Sequence, residues 1–224
     1  MKLSSLNKEY DKLQKIYGDE SLHSIYNGGC EENPDICFVF MNPTGRNIAT
    51  LPGWEGPYHP WIGTKNIWDL FVAVNLIDDN IYKEIKSIKG SDWTPEFATR
   101  VYDNIRKHKV FITNLGKCTQ IDARPLKDSS YLDYLPLLEK EIKIVKPKVV
   151  LLFGNQVSSI FLGKKISVSA ARKQCFERKI GSTTYNCFSI FYPIGNGRFN
   201  IDKSIEDIKW IIANYLREGE DQWN

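Results

Sequence analysis

The sequence predicts an α/β fold: a three-layer α/β/α sandwich on a mainly parallel four-stranded sheet, with residues 1–224 forming one domain. Three observations carry that expectation. Four short apolar runs have the length of buried strands. Helical patterns separate them. No repeat, low-complexity tract or Pro/Ser-rich linker divides the chain. With 224 residues and 42% hydrophobic content, the chain holds enough apolar side chains for one large core.

Taken in order, Leu6, Tyr10, Leu13 and Ile16 recur at helical spacing and stop at Gly18, which predicts an N-terminal helix over 1–18. ICFVFM (36–41) reads as the first strand. Trp68, Phe71 and Val72 mark a helix over 66–76, with Trp68 a core side chain. Thr94 before Pro95 suits the start of a helix over 95–107. The hydroxyl can cap free amides there, and proline has no amide to leave unpaired. KVFIT (109–113) is the second strand. Leu132, Leu135, Leu138, Ile142 and Val145 predict a helix over 129–146. KVVLLF (148–153) and NCFSIF (186–191) are the third and fourth strands. Ser204 followed by Asp207 suits the start of the last helix, 203–217, which carries Ile208, Ile211, Ile212 and Tyr215.

Charge and composition narrow the function. Thirty basic against 27 acidic residues give a formal net charge of +3, so any nucleic-acid site must be a local basic patch. No apolar run is long enough to span a bilayer, and the charged, amphipathic N-terminus does not resemble a signal peptide. The sequence predicts a soluble, cytoplasmic monomer. Five cysteines, Cys30, Cys37, Cys118, Cys175 and Cys187, are odd in number and irregularly spaced, which argues against a disulfide framework or a zinc site.

Parallel sheets place their sites in the loops beyond the strand carboxyl ends. Those loops are Asn42-Pro43-Thr44-Gly45, Asn114-Leu115-Gly116-Lys117, Gly154-Asn155-Gln156 and Tyr192-Pro193-Ile194-Gly195-Asn196-Gly197-Arg198. They contain no phosphate loop and no nucleophile elbow, and His23, His59 and His108 are scattered without ligand spacing. Amides and aromatics stand there instead: Asn42, Asn114, Tyr58, Trp61 and Tyr192. An amide offers both a donor and an acceptor, and a ring offers a stacking face, so the set suits a flat heterocycle such as a nucleobase.

At this point the sequence resembles the uracil-DNA glycosylase superfamily, from about residue 36 to the C-terminus. VFMNPTG (39–45) looks like the strand-loop motif whose core is G-[MI]-N-P-G in the single-strand-selective and mismatch-specific branches. By that likeness Asn42 fills the water-positioning slot, which holds aspartate in the most active branch, and Met41 lies beside the base. EGPYHPWIGTKNIWDLF (55–71) is similar to a segment of the thermophilic branch in which an aromatic residue stacks on the flipped base, which places Trp61, with Tyr58 nearby, in that role. VFITNLGKC (110–118) resembles I-T-N-x-x-K-C, implying that Asn114 reads the base edge. LEKEIKIVKPKVVLLFGNQVSSIFLG (138–163) is similar to the family's helix, strand and following helix start. YPIGNGRFN (192–200) stands where the loop that wedges into the duplex is expected, with Pro193, Gly195 and Arg198 fitting it.

Two departures stand out. Tyr192 replaces the histidine that stabilises the departing base in several branches, so the catalytic pair implied here is Asn42 and Tyr192. The thermophilic branch also holds an iron-sulfur cluster on four cysteines. Cys30, Cys37 and Cys118 could mimic three of them, but the fourth position falls near Tyr134 and Leu135, and the sequence predicts no cofactor and no metal.

The resemblance thus implies a monofunctional glycosylase that excises uracil, or another deaminated base, from DNA in base excision repair. Its DNA contacts are expected from Pro193, Gly195, Arg198, Lys117 and Gly154, with Arg124, Arg172 and Lys173 as further backbone contacts. Tyr192 keeps open a catalytically weak or inactive protein of the same fold that binds DNA or a nucleobase. An enzyme acting on a free nucleoside or nucleotide is a third reading.

Overall fold

Parallel pairing follows the apolar runs. The computed structural model describes residues 2–123 and 126–216. Its strands are β1 (Asn27–Gly29), β2 (Ile36–Phe40), β3 (Val110–Asn114), β4 (Val149–Phe153), β5 (Phe176–Ile180) and β6 (Thr183–Ile190). They form one sheet in the order β1-β3-β2-β4-β6-β5. The four predicted strands are the parallel centre, β3-β2-β4-β6, and β1 and β5 add antiparallel edges.

Helices cover both faces, as a sheet buried on both sides requires. They are α1 (Asn7–Tyr17), α2 (Trp68–Ala73), α3 (Asp79–Ser87), α4 (Pro95–Lys107), α5 (Asp128–Val145), α6 (Asn155–Leu162) and α7 (Ile201–Tyr215). Strand side chains alternate between two cores. Phe38 and Phe40 join residues of α2, α3, α4 and α7 on one face. Cys37 and Val39 join residues of α5 and α6 on the other. A smaller cluster fixes α1 against α5 through Leu6, Tyr10, Tyr134 and Leu137.

Local chemistry explains most boundaries. Thr94 accepts a hydrogen bond from the Phe97 amide at 3.2 Å, and Pro95 opens α4 as predicted. α5 ends on Lys146 in the left-handed region, just before Pro147. Ser204 is no cap: α7 begins at Ile201, and the Ser204 hydroxyl lies inside the helix at 3.2 Å from the Phe191 and Asn200 carbonyls.

Candidate active site

From β2 the chain crosses to β3 on one side and then returns to β4 on the other, so the loops leaving these strands diverge and open a crevice between them. A cleft of about 890 Å³ lies there. It is lined from all four central strand ends, by Met41 and Asn42 after β2, Asn114 at the end of β3, Gly154 after β4, and Tyr192 and Gly195 after β6. Trp61 closes it from the segment before α2. The cleft has the size of small-molecule sites and would hold a nucleotide.

Asn114 is 2% exposed. Its backbone is fixed by the β2–β3 ladder, where it is opposite Phe40. No hydrogen bond from any described residue reaches its side-chain amide, although that amide lines the cleft. The donors and the acceptor of that amide are therefore available to whatever occupies the cleft.

Beneath Asn114 is a buried charge pair. Lys117, 1% exposed, donates to the Asn114 carbonyl at 2.7 Å, to Glu141 at 3.0 Å and to the Thr113 hydroxyl. Glu141, wholly buried on α5, also accepts from Thr113 and from Asn27 of β1, each at 2.7 Å. Burial lowers the Lys117 pKa and Glu141 opposes that shift. All three ammonium protons are therefore committed inside the protein. The expectation that Lys117 grips a phosphate is corrected: it supports the strand end that carries Asn114.

Asn42 is held as firmly. Gly45 N donates to Gln120 O at 2.8 Å and Gln120 N to Pro43 O at 3.2 Å, clipping the 42–45 loop to the segment after β3. The side chain donates through Nδ2 to Pro43 O at 3.1 Å, and its Oδ1 accepts from the Tyr131 hydroxyl at 2.7 Å.

The aromatic wall rests on Phe40. Phe153 stacks on it at 4.3 Å, Trp61 meets it edge-on at 5.0 Å, and Tyr192 does so at 6.2 Å. Trp61 has φ +67, a left-handed conformation that a bulky side chain adopts only under constraint, and its carbonyl is held by the Thr64 amide and hydroxyl. Burial pushes the Tyr192 hydroxyl well above the ordinary phenol range, so it acts as a neutral donor. Tyr58 does not join this wall. It lines a separate cavity of about 550 Å³ beside Tyr26 and His59, and its hydroxyl donates to Trp54 O at 3.3 Å, which corrects its placement beside the base.

The loop after β6 divides into three. Pro193 is buried beneath it, Gly195 lines the cleft at φ +62, and Arg198 is exposed with no side-chain partner among the described residues. Phe199 is 91% exposed, a feature the sequence reading passed over. Gly154 stands at the N-terminus of α6 with φ +93, facing Tyr192 Cβ, so it shapes the cleft wall. Arg172 is tied to Asp207 and Glu206, and Lys173 to Glu206, so these two are structural ion pairs and do not reach for phosphate. Arg124 lies outside the described residues. Arg46, exposed on the cleft lining without a side-chain partner among the described residues, is the cation that reading missed.

A four-thiolate cluster does not fit the residues present. Cys37 lies in the core beneath α5 and α6, Cys118 in the one beneath α1, and Cys30 donates to Glu32 O. Burial raises the Cys37 thiol and pushes Cys118 up to about 11, whereas ligation needs thiolates. No group of three metal-ligating side chains occurs among the described residues.

Fold and cleft together define a doubly wound α/β protein that offers a heterocycle two rigid amides and an aromatic wall at its switch point. A family model, the uracil DNA glycosylase superfamily, matches residues 29–209. The chain belongs to that superfamily, and its function is of the uracil-DNA glycosylase type, exercised on DNA. No helix among the described residues is long and apolar enough to cross a membrane.

Proposed function

We propose that the protein hydrolyses the N-glycosidic bond of uracil in DNA, taking the base extrahelically into the cleft between Asn42 and Asn114. The observation that carries this reading is Asn114, a residue buried at the end of a rigid strand, whose side-chain amide lines the cleft and has no hydrogen-bond partner among the described residues. Its Nδ2 can donate to O4 of uracil while Oδ1 accepts from N3–H, the pattern that cytosine reverses. Hypoxanthine presents a similar edge, which admits other deaminated bases.

The chemistry then needs two services. As the glycosidic bond breaks, negative charge grows on the base, and donors from Asn114 and the neutral Tyr192 hydroxyl stabilise it. Positive charge grows on the sugar, and Asn42 orients the attacking water through the remaining acceptor position of its oxygen. No covalent nucleophile is required. Trp61 offers its ring to the base. Phe199 fills the gap left in the stack, and Arg198 with Arg46 grips the backbone.

The test is direct. Labelled oligonucleotides carrying U·G, U·A, T·G, hypoxanthine or single-stranded uracil are incubated with the protein and then treated with alkali. Strand scission at uracil, lost in Asn114→Ala, is expected. Binding to uracil-containing DNA with no scission on any substrate would show an inactive binding protein instead.

A further inference from the structure

We infer that Tyr131 is a positioning residue for base excision, acting through Asn42. This rests on the glycosylase reading above.

An asparagine side chain has two nearly isosteric ends, and its terminal torsion is broad, so nothing intrinsic decides whether oxygen or nitrogen faces a bound water. Here two neighbours decide it. The Pro43 carbonyl can only accept, and it takes a proton from Asn42 Nδ2 at 3.1 Å. The Tyr131 hydroxyl, from the first turn of α5, donates to Oδ1 at 2.7 Å. Tyr131 is wholly buried, and burial holds its hydroxyl far above the ordinary phenol range, so its single proton is always present for this bond. Reversing the amide would set its oxygen against the Pro43 carbonyl, losing that bond, and would turn the Tyr131 hydroxyl from donor to acceptor, taking its proton away from Asn42. Asn42 is thereby left with one acceptor position and one N–H for the cleft.

The arrangement has no slack. Gly116, in the loop that follows Asn114, passes between the two side chains. A Cβ there would lie 3.1 Å from Tyr131 Cε1 and 3.4 Å from Asn42 Cβ. Its backbone amide donates to Met41 O at 2.8 Å, so it cannot easily retreat. The Asn114 loop, the Asn42 loop and α5 thus meet at one phenol, which sets where the water-facing oxygen points relative to the base reader.

Single-turnover excision rates on single-stranded uracil DNA, dissociation constants for the same DNA, and melting temperatures are measured for the wild type, Tyr131→Phe and Gly116→Ala. The Tyr131→Phe substitution is also made in Asn42→Ala and Asn42→Asp backgrounds. Tyr131→Phe is expected to slow excision about 10- to 100-fold, the cost of a small misplacement of a reacting group, with the dissociation constant within about twofold. Gly116→Ala, which keeps the hydroxyl, is expected to slow excision by crowding the same contact. In Asn42→Asp the side chain has two equivalent oxygens and no wrong end, so Tyr131→Phe should cost at least threefold less there, and in Asn42→Ala it should cost nothing further. A wild-type rate for Tyr131→Phe overturns the inference. So does a full, multiplicative cost in both Asn42 backgrounds, which marks a purely structural residue. Absence of any product from the wild-type chain would remove the glycosylase reading itself, and is distinguishable from both.

Discussion

The two halves of the cleft rim are built on opposite plans. On the β2–β3 side every functional group is buttressed: Asn114 stands over the Lys117–Glu141 pair, and Asn42 is clamped by Tyr131 and Pro43. On the β6 side the loop is open. Gly195 takes a left-handed φ, Arg198 has no side-chain partner among the described residues, and Phe199 projects 91% of its surface. Under the proposed function, the groups that meet an incoming base at fixed distances are held by buried polar contacts, while those that enter a deformable duplex keep reach with little local order. In that reading the two amides, with Tyr192 at the root of the β6 loop, serve the chemistry and Arg198 and Phe199 at its tip serve grip, and the contrast can be broken from either side.

The largest effect is expected at Lys117. Lys117→Met leaves Glu141 buried without its charge partner, which costs about 3–5 kcal/mol. In a chain of this length that is a fall in Tm of roughly 6–20 °C, read by calorimetry. Were Lys117 a phosphate contact, the same substitution would leave Tm alone and weaken DNA binding. Next comes Asn114→Ala, expected to lower the excision rate about 10²–10³-fold with a much smaller change in DNA affinity, because donors aimed at developing charge act on the transition state. An equal loss in rate and affinity would make Asn114 a binding residue only.

On the open side the effects are smaller and fall on binding. Phe199→Ala is expected to cost about 1–3 kcal/mol of stacking in duplex uracil DNA, with a smaller loss on single strands and no change in Tm. A Tm change would mean that Phe199 belongs to the fold. Arg198→Ala should reduce the slope of log K against log salt by about one, as the loss of one phosphate contact does.

This contrast also explains what the sequence could and could not reveal. The four parallel strands were legible because strands buried on both faces are apolar throughout. Their edges were not. Asn27-Gly28-Gly29 has no apolar run to mark a strand, yet it forms β1, with the Tyr102 and His59 rings lying where a Cβ at Gly28 would sit, 2.5 and 2.6 Å away. FERKI (176–180) carries a charged centre between two apolar ends, and it forms the edge strand β5, hairpinned to β6 through Gly181, with Phe176 and Ile180 buried and the residues between them not. At the site, loop position exposed Asn42, Asn114 and Trp61. Lys117 misled because burial cannot be read from residue type, and the supporting Tyr131 and Glu141 lie on a helix distant in sequence. Tyr58 misled because its neighbour Trp61 turns into the cleft through a left-handed residue while Tyr58 faces the other way, into the cavity with His59.

The smallest expected effect is an absence of effect, and it tests the rigid half most narrowly. Among the described residues, the groups that line the cleft include no carboxylate and no imidazole. The titratable ones are Arg46, Lys65 and Tyr192, the last raised by burial. A departing uracil anion needs hydrogen-bond donors but no proton, so nothing in this set has to change charge near neutrality. The single-turnover rate should therefore vary by less than about twofold between roughly pH 6.5 and 9, where a general base or acid would give a tenfold slope per unit on one limb. The lower bound comes from the fold. Burial lowers the pKa of His59 from 6.5 to about 4, so the unfolded chain binds a proton there before the folded chain does. That contribution to stability is complete above the unfolded value and is lost as pH falls toward 4. Rates and melting temperatures extended down to about pH 5, into the window where the His59 contribution is being lost, separate the two. A rate limb near 6.5 with Tm unchanged would place a titrating group in the cleft and defeat the amide-only mechanism, whereas a decline that tracks Tm belongs to His59.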